Sequence, residues 1–229
     1  MPELSVASLP EAVAELARFG FRARDTAGTR LERGDQVIEL VLAGPGPQGR
    51  HGVIDHLALK TQDVDAAGRA VLELGGFVDP SVTPDGPLEI AEFWGLGVRY
   101  QFFRGPGGAR LELCALRGGH AAVGAGLADL IQGHDHVGIA CRDIAASVGF
   151  YQRLGLELVH AVDLERPAGR TEVRFLRRGG QTVELYSAPE RRSGLLTLPG
   201  QGLWRGLRFE GLGRQGQLSG PDGEQVTLV

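Results

Sequence analysis

One short pattern occurs four times along the chain and limits its fold more than any other feature. A glycine turn leads into a strand-like run with one central polar residue, at 34–40, 108–113, 180–185 and 223–228. The central residues of the four copies are Glu39, Glu112, Glu184 and Thr227. Apolar residues alternate around them, which predicts strands with one packed and one open face. A fixed internal repeat predicts a protein built from copies of one unit.

A second pattern opens the two middle copies of this unit. Asp55-His56 begins an apolar run, and Asp135-His136 begins a matching run 80 residues later. A polar turn and an amphipathic segment follow each run, which predicts helices at 64–74 and 144–154 that end at glycines. Further strand patterns complete each copy, so the predicted unit is strand, helix and three strands.

The sequence therefore predicts an α+β chain of tandem βαβββ modules. Residues 1–50 form a degenerate first module, and residues 51–117 form a second that carries His56 and Glu112. Residues 118–132 are a predicted linker, and residues 133–190 form a third module that carries His136 and Glu184. Residues 191–229 are expected to form a truncated fourth module, with strand patterns but too few residues for its helix.

Composition sets the class of protein. The 229 residues include 42% hydrophobic and 23% charged residues, with a net charge of −4, which is typical of a globular protein with a real core. There is no excess of basic residues to favour nucleic acid, and no apolar run long enough to cross a membrane. With two cysteines and no secretory pattern at its start, the chain is expected in the cytoplasm.

Strand parity places four ionisable side chains on open faces. With a period of two, Leu111 and Leu113 pack on one side while Glu112 points to the other, and Glu184 lies likewise between two apolar neighbours. On the first strands of the middle modules, the same rule puts His56 and His136 opposite the packed leucine and valine residues.

The segment 135–156 resembles the first-strand-and-helix signature of the vicinal oxygen chelate superfamily. This superfamily includes glyoxalase I, bleomycin-resistance proteins, methylmalonyl-CoA epimerase and extradiol dioxygenases. The resemblance covers residues 52–116 and 133–189 strongly, and 1–44 and 196–229 more weakly. It implies modules that pair into curved, open-barrel-like mixed sheets with helices outside.

The resemblance also implies one divalent metal ion inside a curved sheet. Each module of a pair would supply a histidine from its first strand and a glutamate from its last, which selects His56, Glu112, His136 and Glu184 as metal ligands. Two imidazoles and two carboxylates suit zinc, nickel, manganese, cobalt or ferrous iron. By resemblance, Glu112 or Glu184 would also be catalytic and move a proton.

The ligand set is complete only if modules two and three face each other. Module one has Glu39 but no histidine, and module four has Thr227 at the glutamate position and Trp204 or Arg205 near the histidine position. We favour this inner pairing, with modules one and four as a decayed outer pair. The alternative pairs one with two and three with four, and leaves two half-sites.

Three functions follow from the resemblance. The first is a glyoxalase-like lyase, isomerase or epimerase, in which the metal is a Lewis acid for a small substrate with adjacent oxygens. The second is an extradiol-type dioxygenase with ferrous iron, for which Tyr186 or His134 is the nearest second-shell candidate. The third is a metal-free binding or resistance protein. The expected partner is a small molecule, and the chain is expected to be a monomer or homodimer.

Other residues receive weaker assignments. Glu39 is interpreted as a surface acid, His134 as a rim residue on the same strand face as His136, and His160 as a surface residue. Cys114 shares the face of Glu112. Alternation divides 99–103 into one face with Arg99, Gln101 and Phe103 and another with Tyr100 and Phe102. The first set is a candidate for substrate contact, but the pattern does not determine which of the two faces is open. The glycine-rich residues 44–47 are predicted to be a turn or linker rather than a phosphate loop.

Overall fold

A computed structural model describes residues 1–43, 50–121 and 124–229 of the chain. The turn predicted at 44–47 and part of the linker predicted at 118–132 lie outside these residues. Five α-helices are described: α1 (Leu9–Ala17), α2 (Val64–Glu73), α3 (Leu127–Leu130), α4 (Ile144–Arg153) and α5 (Pro189–Arg192). None of the helices in these ranges has the length and apolar character that crossing a bilayer requires.

Matching aspartates begin the two middle helices. The side chain of Asp63 accepts a hydrogen bond from the backbone N–H of Ala66, and Asp143 accepts one from Ala146, at 2.9 and 3.0 Å. Such N-caps pair a backbone N–H group that the first helical turn leaves free. The two helices therefore begin at equivalent places in their modules, as the repeat predicts.

The central repeats form one curved, open sheet. Its strands are β5 (Ile54–Thr61), β6 (Phe77–Val78), β7 (Leu88–Ile90), β8 (Val98–Arg104), β9 (Arg110–Leu116), β10 (Ile131–Ala140), β11 (Glu157–Arg166), β12 (Gly169–Arg178) and β13 (Gln181–Ser187). Their order is β11-β12-β13-β10-β5-β9-β8-β6, and β7 pairs with β8. Strands β5 and β10 lie side by side and antiparallel at its centre, so modules two and three face each other.

The two ends of the chain form a second sheet. It contains β1 (Pro2–Val6), β2 (Arg22–Ala23), β3 (Arg30–Arg33), β4 (Gln36–Leu42), β14 (Trp204–Phe209), β15 (Gly216–Ser219) and β16 (Gln225–Leu228). The order is β15-β16-β14-β1-β4-β3-β2, with β1 and β14 antiparallel at the centre. The α+β fold of curved open sheets is confirmed, whereas the module boundaries stay predictions.

The main hydrophobic core lies on the packed face of the central sheet. Leu57, Leu59, Leu111 and Leu113 are fully buried there, together with residues of the helices and of the second sheet. A smaller cluster of buried apolar residues lies apart from it, on the open face. The packed and open faces that strand parity predicts are therefore both present, and the open face is itself lined by apolar groups.

One insertion differs from the predicted unit. Residues 79–97 of module two contain β7 and a short 3₁₀ turn at Phe93–Gly95, neither of which the sequence pattern predicted. Trp94 in this turn has φ of 55°, a left-handed conformation that is uncommon outside glycine. The insertion lies on the same side as the open face, where Phe93 joins the smaller apolar cluster.

Candidate metal centre

Backbone register brings the four predicted ligands to one face of the central sheet. His56 lies opposite Gly138 across the β5–β10 pair, and His136 lies opposite Ala58. Glu112 on β9 is paired with Ala58, and Glu184 on β13 is paired with Gly138. Each glutamate therefore stands beside a small residue, two positions along the strand from a histidine.

The four head groups converge. The Nε2 atoms of His56 and His136 are 3.2 Å apart, and Glu112 Oε2 lies 3.1 and 3.6 Å from them. His56, Glu112 and His136 offer ligand atoms that all lie within 4.8 Å of one another. Glu184 joins the site through the two imidazoles, with Oε2 3.5 Å from His56 Nε2 and 3.4 Å from His136 Nε2.

These spacings fit a bound divalent ion. Metal–ligand bonds of about 2.0–2.2 Å, at tetrahedral or octahedral angles, separate neighbouring ligand atoms by about 2.8–3.6 Å. The distance between the two imidazole nitrogens and the four imidazole–carboxylate distances fall in that range. The four side chains are also between 92% and 97% buried, so two carboxylates lie away from water, where positive charge from the imidazoles or a bound ion balances them.

Two aspartates orient the imidazoles. Asp55 Oδ2 lies 3.0 Å from His56 Nδ1, and Asp135 Oδ1 lies 2.8 Å from His136 Nδ1. A proton held on Nδ1 by such a carboxylate leaves the lone pair of Nε2 free for a metal. Sequence analysis did not assign these two residues, although the repeated Asp-His pair was the signal for them.

Irregular strand register explains how each aspartate contacts the histidine that follows it on the same strand. The β5–β10 ladder shifts between His134 and His136 and again between Gly138 and Ile139, where Ile54 rather than Asp55 is the next partner. An extra residue in a ladder breaks the strict alternation of side chains. Asp135 and Asp55 therefore turn toward the histidines that follow them.

Charge coupling within the cluster shifts the pKa values of its members. Burial alone would lower the pKa of His56, but hydrogen bonds with Asp55, Glu112 and Glu184 raise it well above its ordinary value. Burial would raise the pKa of Glu184, yet the charge of His136 and its hydrogen bonds to the imidazoles lower it to about 2. The glutamates are therefore anionic, and an entering ion would displace protons from the imidazoles.

Gly138 is not a predicted metal ligand, but its position predicts that a larger residue there would lower the affinity of the site for a metal. A Cβ atom added at Gly138 would lie 2.0 Å from Cε1 and 2.5 Å from Nδ1 of His56. Gly138→Ala should therefore displace the His56 ring and lower metal affinity by about 10–100-fold, the range seen when the support of a ligand is lost. Competition with a chromophoric chelator measures this affinity.

The matched control is Gly149→Ala on α4. The nearest atom to its added Cβ is Arg153 Nη1 at 3.5 Å, an ordinary contact. This variant should keep wild-type metal affinity. Equal affinity in the Gly138→Ala protein would mean that the His56 ring does not need its observed position.

A cavity of about 310 Å³ opens above the four side chains. Tyr100, Phe102, Cys114 and Tyr186 contribute to its lining. Of the two faces that alternation leaves open on β8, the one with Tyr100 and Phe102 therefore lines the cavity. The candidate set on the other face does not, because Arg99 pairs with Asp65 at 2.7 and 2.8 Å and Phe103 packs into the main core. Burial raises the pKa of the Cys114 thiol well above its ordinary value, so this residue stays neutral beside the site.

The insertion 79–97 and the β11–β12 hairpin form two sides of the cavity. Trp94 stacks on His160 with ring centroids 4.4 Å apart, and Phe93 meets Phe175 edge to face at 5.4 Å. The sequence interpretation of His160 as a surface residue misses this stack. Its partner lies in an insertion that has no counterpart in module three, so the repeat held no signal for the contact.

His134 does not face the cavity. Its Nδ1 lies 2.5 Å from Gln36 Oε1 of the second sheet, and its Nε2 accepts the backbone N–H of Thr182 at 3.0 Å. The interpretation of His134 as a rim residue on the face of His136 is therefore wrong, because the bulge at Asp135 turns it to the opposite side. It connects the two sheets instead.

The outer pair of modules holds a different arrangement. The β14–β16 register pairs Arg208 with Thr227, which puts Gly206, rather than Trp204 or Arg205, at the position equivalent to a histidine. Arg208 Nη2 lies 3.1 Å from Glu39 Oε2. Within 1–43, 50–121 and 124–229, the histidine–glutamate group of the central sheet is the one that could hold a metal ion.

The fold and the converging side chains define a class of protein. In this class, paired βαβββ modules form a curved sheet with one candidate metal centre on its open face. The sequence model described as Glyoxalase/Bleomycin resistance protein/Dioxygenase superfamily matches residues 3–113 and 133–209. The chain belongs to this superfamily. No curated protein sequence matches it.

Solved structures share the fold at low sequence identity. Glyoxalase I from Zea mays is 16% identical over 99% of this chain and 90% of its own, with a TM-score of 0.63, and a mutant of that enzyme gives 0.65 over 99% and 91% at the same identity. A protein from Bacillus subtilis, named as a proposed dioxygenase, is 14% identical over 80% of this chain and 62% of its own, with a TM-score of 0.53. These similarities establish the fold.

Proposed function

We propose that this protein is a divalent-metal-dependent lyase, isomerase or epimerase that acts on a small substrate with two adjacent oxygen atoms. The convergence of two imidazoles and two carboxylates, with spacings of 3.1–3.6 Å, is the observation that supports this function. Membership of the superfamily supports it too. The surrounding cavity gives a substrate access to the cluster.

His56, His136, Glu112 and Glu184 are the residues that would hold the ion. A bound zinc, nickel, manganese, cobalt or ferrous ion would supply Lewis acidity to a carbonyl or enolate oxygen. The nitrogen and oxygen donor set suits all five. Asp55 and Asp135 keep both imidazoles in the orientation and tautomer that present Nε2 to the centre.

The remaining chemistry needs a group that moves a proton, and either glutamate of the cluster can do so. Both carboxylates are anionic because the neighbouring imidazoles lower their pKa values. Glu112 and Glu184 lie on opposite sides of the histidine pair, on β9 and β13, so each can reach a carbon held over the cluster.

Tyr186 is the observation that favours the second candidate, a ring-cleaving dioxygenase with ferrous iron. Tyr186 lines the cavity and lies nearly parallel to the His56 ring at 6.4 Å, so it can stand beside a bound catechol. His134 cannot take this role because it faces the second sheet. The presence of Glu112 in the cluster favours the first function, since extradiol enzymes use two histidines and one carboxylate around iron.

Metal analysis and a proton-exchange assay on purified protein without a histidine tag distinguish these functions. We expect about one equivalent of divalent metal per chain by elemental analysis. In D₂O, the metal-loaded protein should exchange the methylene protons of 2-hydroxyacetophenone at least about 100-fold faster than the metal-free protein, the lower end of what a positioned acid or base contributes. Proton NMR measures this exchange.

Other outcomes would select the other candidates. Oxygen consumption with ring cleavage of a catechol by the ferrous protein, without proton exchange, would establish the dioxygenase. Less than about a tenth of an equivalent of metal, after reconstitution with each of the five ions, would overturn both enzymes in favour of a metal-free binding protein.

We also propose that the protein acts in the cytoplasm as a monomer or homodimer. Both module pairings, two with three and one with four, are completed within one chain, so no second copy is needed to build the site. Cys114 and Cys141 are free and buried, which suits a reducing compartment. The proposed partner is the small-molecule substrate alone.

A further inference from the structure

We infer that the cavity selects an uncharged substrate with a compact apolar body and rejects one that carries an additional anionic group. This inference rests on the proposed function, because it takes the metal centre as the point to which the two oxygens are bound. It adds the chemical class of the rest of the molecule, which the four ligands do not determine.

Apolar side chains form most of the wall around the cluster. The cavity is lined by groups from both modules and from the insertion, among them Phe93, Trp94, Phe102, Leu164, Val173 and Phe175. At about 310 Å³, its volume is at the low end of ligand pockets. A small aromatic or branched aliphatic body therefore binds more tightly the more apolar surface it removes from water.

The charge of the lining opposes an anion. Four carboxylates border the cavity, from Asp55, Glu112, Asp135 and Glu184. Apart from the two histidines, Arg110 is the cationic residue of this lining within the described part of the chain. Four negative charges against one guanidinium and one divalent ion leave a net charge of about −1, so a second anionic group on a substrate would be repelled.

Arg110 is already paired with side chains of the protein. Its Nη1 lies 2.5 Å from Asp55 Oδ1, its Nε lies 3.1 Å from Asp79 Oδ2, and its Nη2 lies 3.3 Å from Ser81 Oγ. Each guanidinium nitrogen therefore has a partner, and three of the five N–H donors are used. A substrate carboxylate could use Arg110 only by breaking a pair that also fixes Asp55, and Asp55 in turn holds His56.

The cation on the neighbouring hairpin is also paired. Arg166, at the end of β11, binds both carboxylate oxygens of Glu92 at 2.8 and 3.2 Å. This pair connects the hairpin of module three to the insertion of module two, beside Phe93 and Trp94. The positive charge of Arg166 is thus balanced by Glu92.

Four hydroxamates test the inference, because each chelates a metal through two adjacent oxygens. The probes are acetohydroxamate, benzohydroxamate, and benzohydroxamates with a 4-carbamoyl or a 4-carboxylate group. Calorimetric titration of the zinc-loaded protein should show benzohydroxamate binding at least about 10-fold more tightly than acetohydroxamate. The 4-carboxylate should bind at least about 10-fold more weakly than its uncharged carbamoyl counterpart, which has nearly the same shape.

A charge introduced into the wall should reverse this preference. Leu164→Arg places a guanidinium in the cavity and should make the 4-carboxylate probe the tighter of the two. Leu158→Arg is the matched control, since Leu158 is on the same strand but is 44% exposed and outside the lining. It should keep the wild-type order. The comparison of probes on the wild-type protein does not depend on either variant folding.

The outcomes separate this inference from the proposed function. Failure of the wild-type protein to take up any of the five ions would overturn the proposed function, and if zinc alone is not taken up the titrations use one of the ions that is. Zinc uptake combined with equal affinities for the carboxylate and carbamoyl probes would overturn the inference alone. Tighter binding of acetohydroxamate than of benzohydroxamate would likewise exclude an apolar substrate body and leave the metal centre in place.

Discussion

Glu184→Gln should lower the affinity for a divalent metal by at least about 100-fold, whereas Glu39→Gln should leave it unchanged. The two glutamates occupy the same position in two copies of the repeat, so the substitutions are matched in sequence context. Glu184 faces two imidazole nitrogens at 3.4 and 3.5 Å, and an amide oxygen in its place carries no negative charge for the ion. A 100-fold loss corresponds to about 2.7 kcal/mol.

Glu39 has a different partner. It pairs with Arg208, and no histidine accompanies it in the outer pair of modules in the described part of the chain. Glu39→Gln should therefore lower the stability of the second sheet but leave the metal affinity unchanged. Competition with a chromophoric chelator gives both affinities, and circular dichroism verifies that each variant is folded. An equal loss of affinity in the two proteins would show that the metal site has been assigned to the wrong place.

Sequence alone could predict the central features of this fold because they depend on local periodicity and internal duplication. A period of two assigns Leu111 and Glu112 to opposite faces, without knowledge of the partner strands. Two copies of an Asp-His start, each with a later glutamate, then identify a set of residues that no single copy could. Hydrogen-bonded pairing brings these copies together on β5 and β10.

Features that break the period could not be predicted in the same way. Asp55 and Asp135 contact the histidines because the ladder shifts beside them, and a bulge leaves no mark on the apolar pattern. His134 was placed on the wrong face for the same reason. Trp94 and His160 meet across two modules, through an insertion that alternation does not describe. The physical causes are tertiary contacts, which have no sequence period.

The central and outer pairs of modules balance their acidic side chains in different ways, although both are built from the same unit. The central pair balances buried carboxylates with imidazoles and leaves room for an ion. In the outer pair, Arg208 contributes a guanidinium close to Glu39, and Glu3 is 3.5 Å from the same Arg208 nitrogen. A side-chain cation thus balances the acids there. The same pair of modules can therefore form a candidate metal centre when histidines face the acids, and an ion pair when an arginine does.

Arg191→Met should destabilise the protein by about 3–5 kcal/mol, the largest stability effect that we expect from a residue outside the metal centre. Arg191 is 98% buried. Its guanidinium lies 3.1 Å from Asp222 Oδ1 and donates to the backbone oxygens of Ala140 and Leu196 at 3.0 and 3.1 Å. Removing the buried partner of an ion pair is costly, because it leaves the nearly inaccessible carboxylate of Asp222 with the exposed Arg142 as its cationic partner.

Arg142→Met is the control, because it removes a second cation from the same carboxylate. Arg142 Nε lies 3.1 Å from Asp222 Oδ1, but its side chain is 59% exposed, so its loss should cost no more than about 1 kcal/mol. Urea unfolding, followed by the fluorescence of Trp94 and Trp204, measures both. Because Arg191 contacts no metal ligand, its folded variant should keep wild-type metal affinity, which separates a structural from a catalytic loss. Equal stability of the two variants would show that the buried pair contributes no more than an exposed one.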